Sequence, residues 1–479
     1  MLANLLIPLA SFGIVSVFSV LMTPFFISYF NYDGLGVISN SNAALQSLFF
    51  IGGALTTVYA RVYSNKESFC SKALVMTELN NLLSWLSLLS ILCGLCIGLY
   101  ALNKNDTVFW YYSIAFISCA IIIKSQSYTL IPFSKNKIYV NSLIDSGRTI
   151  LRNIICLGIV IFFIKDISAN AIAMFVSALI ILMLLMFLYP SNKIFSISKV
   201  KLNDNMKNSL WVCINQGGAY LFSFADIVMV NVLLGHYLGG VYSLLIQLPL
   251  LFKTVGSVAQ NSISSFVVKF SALSKEDTGA VGNVLFKCFF FYSFFIGAAF
   301  VLLAQYKYLV FRTWLGEDVN LNILHNFDYI CYFMMSVSVL SLTNIFLAGW
   351  GFFAFPAKIT VLFSVMSLLF VVMYSLFFKS ITYIMVFTII YSFLLLKNVF
   401  CLIYFYVSAK ISMLRLLSLI VFSSLIIAMI FTLTYSIRKM VSNEMLSLSI
   451  TVIVLAFFSL PLLKMFRDFK VLLSEKLTP

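Results

Sequence analysis

Long apolar runs recur along the chain from Leu5 to Leu463, separated by short polar stretches. About 20 mainly apolar residues suffice to cross the hydrocarbon of a bilayer as a helix. By that measure the pattern predicts fourteen helical spans: 4–30, 37–61, 77–102, 108–133, 140–164, 169–189, 208–234, 240–267, 284–309, 324–348, 358–378, 382–407, 413–436 and 445–463. The polar stretches between them leave no room for a globular catalytic domain. The first run has no charged leader and no small-residue cleavage site, and it is too long for a signal segment, so it reads as a retained helix.

Composition agrees with the pattern. The 479 residues are 62% hydrophobic and 10% charged, where soluble domains average about 25% charged. A chain this apolar cannot cover its surface with polar groups, so its solvent is lipid. The fold class that follows is an all-α polytopic membrane protein.

The net charge of +15 reads as a topology signal, not as a nucleic-acid site. With the N-terminus cytoplasmic, nineteen Lys and Arg fall on the inner side, among them Arg61, Lys66, Lys72, Lys135, Lys137, Lys193 and Lys464. Seven fall outside: Lys104, Lys165, Lys307, Arg312, Lys379, Arg438 and Lys439. The asymmetry places both termini inside. Arg438 and Lys439 run against it, which makes the last two spans the least secure.

The long inner connection at 191–207 separates a six-helix lobe, 1–190, from a second, 208–410; two further helices and a tail occupy 411–479. The halves echo each other. Asp33-Gly34-Leu35-Gly36-Val37 follows the first span, and Leu238-Gly239-Gly240-Val241 follows the seventh. Equivalent turns six spans apart indicate a parallel repeat with its axis along the membrane normal. The expected architecture is two pseudo-symmetric lobes around a central cleft.

Ionisable groups in hydrocarbon are costly and normally face a cavity or a partner. In the fifth span Asn141, Asp145, Arg148 and Arg152 share one helix face. Arg152 lies about 10 Å deeper than Asp145, so it either lines a cavity or snorkels to the inner boundary. In the eighth span Lys253 sits near mid-membrane, followed by Gly256, Ser257, Gln260, Asn261, Ser264 and Ser265. Helix packing would account for the small residues; the lysine suggests a water-filled cavity. In the seventh, Asn215 and Asp226 share a face with Ala219 and Phe222, and Asp226 reads either as half of an ion pair, with Lys253 for example, or as a coupling-ion site. In the second, Asn42, Gln46, Gly53, Thr57 and Arg61 form a stripe whose arginine is a cavity residue or an anchor. Lys287 and Lys397 read as boundary residues. The excess of positive charge suits an anionic ligand, with arginine bonding phosphate bidentately and lysine acting as a point charge.

Other chemistry is not signalled. The nine cysteines are scattered, with Cys93 and Cys96 close together on an apolar helix, and His236 and His325 read as structural or surface residues. The sequence has no Walker motif, no paired metal ligands and no nucleophile–base signature. No catalytic residue, metal or cofactor is expected.

Four stretches resemble the polysaccharide-transporter branch of the multidrug/oligosaccharidyl-lipid/polysaccharide exporters, which contains the O-antigen repeat-unit flippases. They are Met22-Thr23-Pro24-Phe25-Phe26-Ile27 with Gly34-Leu35-Gly36; Thr57-Val58-Tyr59-Ala60-Arg61; Asp226-Ile227-Val228-Met229-Val230 with Leu234-Gly235 and Gly239-Gly240-Val241-Tyr242; and Trp314-Leu315-Gly316. The likeness covers roughly residues 5–410. It implies a flippase of the bacterial inner membrane that moves undecaprenyl-pyrophosphate-linked oligosaccharide to the periplasmic leaflet by alternating access. A polysaccharide polymerase and a chain-length regulator are the implied partners, and nucleic acid is not one. Two relatives of the same superfamily are the alternatives, the flippase of the peptidoglycan lipid precursor and the ion-coupled drug antiporter. The first resembles this chain in span number but carries charges in its first helix, whereas the first charge here is Asp33. The second commonly has an acidic residue there. An enzyme reading, as a polymerase or membrane glycosyltransferase, conflicts with the short outer loop at 310–323.

Overall fold

The computed structural model describes residues 3–64, 69–102, 106–134, 138–189, 204–273, 278–316, 321–350, 352, 354–378 and 380–459. Among them the chain is helical and has no strand. The first eight helices are α1 (Ala3–Ser64), α2 (Phe69–Leu102), α3 (Asp106–Ser125), α4 (Leu130–Ser134), α5 (Ile138–Phe162), α6 (Ser168–Leu188), α7 (Asp204–Leu234) and α8 (His236–Leu273). There follow α9 (Thr278–Gln305), α10 (Lys307–Leu315), a 3-10 turn (Leu321–Asn326), α11 (Phe327–Ser341), α12 (Thr343–Gly349), α13 (Ala354–Phe377), α14 (Tyr383–Ser408) and α15 (Met413–Met440). The last is α16 (Glu444–Ser459).

Ten helical stretches among the described residues are long and apolar enough to cross a membrane, and shorter apolar helices cover Tyr220–Leu234 and Glu444–Ser459. Each of the fourteen expected spans falls largely on helix. α1 supplies two of them because it bends at Asn31, whose φ of 58° and ψ of −175° leave the helical region. Asparagine is one of the few residues other than glycine that tolerates positive φ. The chain is a multi-pass helical membrane protein.

Two compact units divide the chain. The first comprises Met1–Leu244 and Thr360–Ile390, the second Leu245–Ile359 and Tyr391–Pro479. Most of the linker expected at 191–207 lies outside the described residues.

In the first unit, small residues set the packing. α2 and α3 lie so close that a Cβ on Gly94 would stand 2.3 Å from the Phe116 Cβ. Ser87 and Ser90 of α2 donate to the carbonyls of Ala120 and Phe116, both at 3.0 Å. With no hydrophobic driving force between helices in lipid, close backbone approach and interhelical hydrogen bonds hold such pairs together. The two glycine stretches also meet, although both lie within helices, Gly34 and Gly36 in α1 and Gly239 and Gly240 in α8, and not in the turns the sequence suggests. α7 ends and α8 begins across Gly235, with φ of +88°, a conformation open to glycine. There the α8 backbone crosses that of α1, and a Cβ on Gly36 would fall 2.0 Å from the His236 carbonyl oxygen. Tyr220 adds a hydrogen bond from its hydroxyl to the Ala43 carbonyl.

In the second unit α15 packs on α9, with Gly297 against Ile427 and Ile430 and Phe286 edge-on to Phe422 at 5.6 Å. Arg438, at the last turn of α15, pairs with Glu444 at 3.1 Å, donates to the Gln305 carbonyl at 2.5 Å and lies over the Tyr306 ring. Arg438 thus has local partners within the second unit.

Candidate functional site

The polar face of α5 turns toward the interior of the first unit. Arg152 donates to Asn42 Oδ1 of α1 at 3.3 Å and to Asn153 Oδ1 at 3.4 Å. Arg148 pairs with Asp145 one turn back at 3.0 Å, its side chain 17% exposed against 65% for the aspartate. The Arg148 guanidinium also stands 5.2 Å from the centre of the Phe49 ring, within cation–π range. Both arginines therefore face α1 and not lipid headgroups.

They line two small sites that share Arg148 in their walls. One, of about 50 Å³, is bounded by Asn42, Gln46, Phe49, Arg148, Arg152 and Ser177 among others. The other, of about 140 Å³, holds Asn141, Asp145, Gln126, Thr56 and Gly53, again with Arg148 in its wall. Further along α1 lies a larger cavity of about 840 Å³ that includes Asp33, Asn40, Tyr112 and His236. The three follow one another along α1 from Asp33 to Thr56, which at 1.5 Å per residue is about 34 Å, enough to traverse the hydrocarbon. Gly52 belongs to this line for a steric reason: a Cβ there would fall 2.1 Å from Gln126 Oε1, and Gln126 also bonds the Phe49 carbonyl at 3.3 Å.

Asp226 of α7 is fully buried and accepts a hydrogen bond from the Tyr242 hydroxyl at 2.5 Å. Tyr242 in turn has its ring 6.1 Å from that of Tyr383. Lys253, in the second unit, lies over the Tyr391 ring at 5.3 Å. The side chains of Arg61, Asn215 and Asn261 lie outside the described residues.

Two expectations need correction. Gln260 is not a cavity residue: it is 6% exposed, and its amide nitrogen contacts the Tyr292 hydroxyl and Ser341 Oγ, both at 2.7 Å, and the Ser338 carbonyl at 3.3 Å. Gly256, one turn before it, is small because Tyr292 approaches there, so this part of the α8 stripe serves packing against α9 and α11. Lys397 is not a boundary residue. It is 8% exposed within α14 and donates to Asn344 Oδ1 at 3.1 Å. Asn398 beside it donates to the Val337 carbonyl at 3.1 Å, near the break between α11 and α12.

One further cation escapes a reading by charge alone. Lys124, on α3, is fully buried against α2. Its ammonium donates to Asn80, to both the amide oxygen and the carbonyl, and to Ser84 Oγ at 2.8 Å. The signal lay on the neighbouring helix, where Asn80, Ser84 and Ser87 repeat at helical spacing. Among the described residues no group of three or more His, Cys, Asp or Glu could hold a metal ion.

The fold defined by these helices is shared with known transporters. No family model matches the chain. Over 96% of its length it superposes on 99% of the lipid II flippase MurJ in an inward closed conformation, with a TM-score of 0.68 and 16% identity. It superposes also on an inward-facing multidrug resistance MATE family transporter of the MOP superfamily, with a TM-score of 0.61 and 13% identity, over 85% of this chain and 98% of that one. In sequence it is similar to the uncharacterized membrane protein EpsK of Bacillus subtilis (strain 168), 22% identical over 357 residues, which is 70% of this chain and 69% of the relative. The fold is thus the one seen in MurJ and in the MATE transporters.

Proposed function

We propose that this protein is a flippase that carries undecaprenyl-pyrophosphate-linked oligosaccharide, an O-antigen or similar surface-polysaccharide repeat unit, from the cytoplasmic to the periplasmic leaflet of a bacterial inner membrane. The observation that carries the reading is the arginine pair on α5. Arg148 and Arg152 are held in the interior of a membrane fold by Asp145 and Asn42. Cations in such a place attract anions, and the guanidinium geometry suits the oxygens of a pyrophosphate. The resemblance of the sequence motifs to the polysaccharide-transporter branch and the fold shared with MurJ support it. No chemical step is required of the protein. It binds the headgroup, and alternating access delivers it while the lipid tail stays in the bilayer. Asp226, buried with Tyr242, is the residue assigned to ion coupling. Gln46 joins the arginines as a headgroup contact, and a polymerase and chain-length regulator would act on the delivered unit.

The test is deletion of the gene. Surface polysaccharide should be lost and the lipid-linked unit should accumulate on the cytoplasmic face. Normal surface polysaccharide in the deletion strain would overturn the reading. Drug sensitivity with intact surface glycan would point to the antiporter instead.

A further inference from the structure

The arginine sites lie against α1 between Asn42 and Thr56. The large cavity, beside the bend of α1 at Asn31, has different chemistry. Its volume of about 840 Å³ falls in the range of about 300–1,000 Å³ typical of small-molecule sites. All of its lining belongs to the first unit, and the charge asymmetry of the chain puts its rim, at Asp33, Lys165, Asp166 and His236, on the outer side.

The rim carries two carboxylates, Asp33 and Asp166, against one ammonium, Lys165. Asp33 and Lys165 oppose each other in sign, and Asp166 is committed locally, its Oδ1 accepting from the Ser168 backbone N–H at 2.6 Å and from the Ser168 hydroxyl. Below the rim the polar groups are neutral. Asn40 lies about 10 Å along α1 from Asp33 and donates from Nδ2 to the Tyr112 hydroxyl oxygen at 2.8 Å. Asn40 Oδ1 is buried and accepts no hydrogen bond from the described residues. The Tyr112 hydroxyl, accepting from Asn40, keeps its own proton to donate. Asn231, across the cavity, has Oδ1 3.2 Å from His236 Nδ1. The walls are aromatic and aliphatic, with Tyr29, Phe30 and the Tyr112 ring among them. Among the described lining residues a phosphate would meet no cation at depth, and an organic cation no carboxylate. Carboxamides and a phenol beside aromatic faces suit a ligand with many hydroxyl groups on one side and C–H surface on the other.

We propose that this outer cavity binds an uncharged saccharide, receiving sugar residues of the lipid-linked unit separately from the pyrophosphate held by the arginines. The choice of saccharide rests on the flippase reading; the cavity and its neutral chemistry do not.

Cys96 lines the cavity and is exposed, so it serves as a reporter. The full chain, with its other cysteines replaced by serine, is reconstituted in nanodiscs and treated with a membrane-impermeant maleimide. Chitotriose or maltotriose at millimolar concentration is expected to slow modification of Cys96 at least threefold. The slowing should disappear in Asn40→Ala and weaken in Asp33→Asn, while tetraphenylphosphonium and inorganic pyrophosphate have no effect. If the cysteine-depleted protein does not fold, the wild-type chain is used and Cys96 modification is read by peptide mass spectrometry. No protection by either saccharide overturns the proposal, and so does protection by tetraphenylphosphonium alone, which would make this a cation site. Protection that survives Asn40→Ala overturns it as well. Normal surface glycan in a deletion strain would remove the flippase reading without touching this assay, and lost protection in a chain that still exports would remove only the saccharide site.

Discussion

Gly36 of α1 and Gly240 of α8 meet backbone to backbone where the two helices cross. A Cβ on Gly240 would stand 1.9 Å from the Tyr32 carbonyl oxygen and 3.1 Å from the Gly36 nitrogen. Backbone atoms cannot swing aside as a side chain can. Gly240→Ala and Gly36→Ala should therefore each destabilise the protein by about 1–3 kcal/mol or more, the usual range for overpacking. Gly147→Ala is the contrast, because nothing lies within 4 Å of a Cβ there and alanine favours the helix by up to about 1 kcal/mol. Thermal unfolding in detergent, followed by size-exclusion chromatography, should rank the first two well below wild type and the third at or above it. Equal melting temperatures for all three would show that the crossing has room to adjust.

The arginine pair yields a prediction of a different kind. Hydrogen bonds to charged groups contribute about 1.5–3 kcal/mol, so Arg148→Ala or Arg152→Ala should reduce flipping by roughly tenfold to a hundredfold, with expression and insertion unchanged. Asn42→Ala should cost less, since it removes only a group that orients Arg152. Accumulation of the lipid-linked unit on the inner face is the measurement. Full activity in all three variants would mean that these cations serve packing alone.

The α5 face was readable in the sequence because polar residues at helical spacing stand out from an apolar run and because their common face implies a common neighbour. The two glycine stretches were readable as a motif but read as turns; the structure places both within helices, α1 and α8, whose backbones touch there. What periodicity could not supply was the partner on another helix. Lys124 is a single lysine close to the expected inner end of its span and so resembles an anchor. Its burial depends on Asn80 and Ser84 of α2. Gln260 failed in the opposite direction, since a small polar stripe looks the same whether water or a neighbouring helix covers it.

Lys124 also separates two kinds of loss. Removing one partner of a buried charge leaves it uncompensated, at a cost of about 3–5 kcal/mol for a buried pair, whereas replacing the charge by an apolar group of similar volume is often neutral. Asn80→Leu should therefore destabilise the protein far more than Lys124→Met, and the double variant should recover most of the loss. Unfolding temperatures of the three variants check this. A Lys124→Met protein as unstable as Asn80→Leu would mean that the ammonium contributes net stability of its own.

Arg438 offers the last test, at the junction of α15 and α16. Its bond to Glu444 joins side chains that are 33% and 41% exposed, and such pairs contribute about 0–1 kcal/mol. Its bond to the Gln305 carbonyl ties α15 to the end of α9, where Tyr306 already holds α16 through Ser447 at 2.7 Å and Thr451 at 3.1 Å. Glu444→Gln should therefore leave the unfolding temperature nearly unchanged, and Arg438→Ala should lower it measurably. Tyr306→Phe, which removes both α16 contacts and keeps the ring, should loosen α16 and raise proteolysis in the 441–443 connection without affecting the arginine site of the first unit. If Glu444→Gln proved as damaging as Arg438→Ala, the ion pair and not the carbonyl bond would be what holds Arg438 in place.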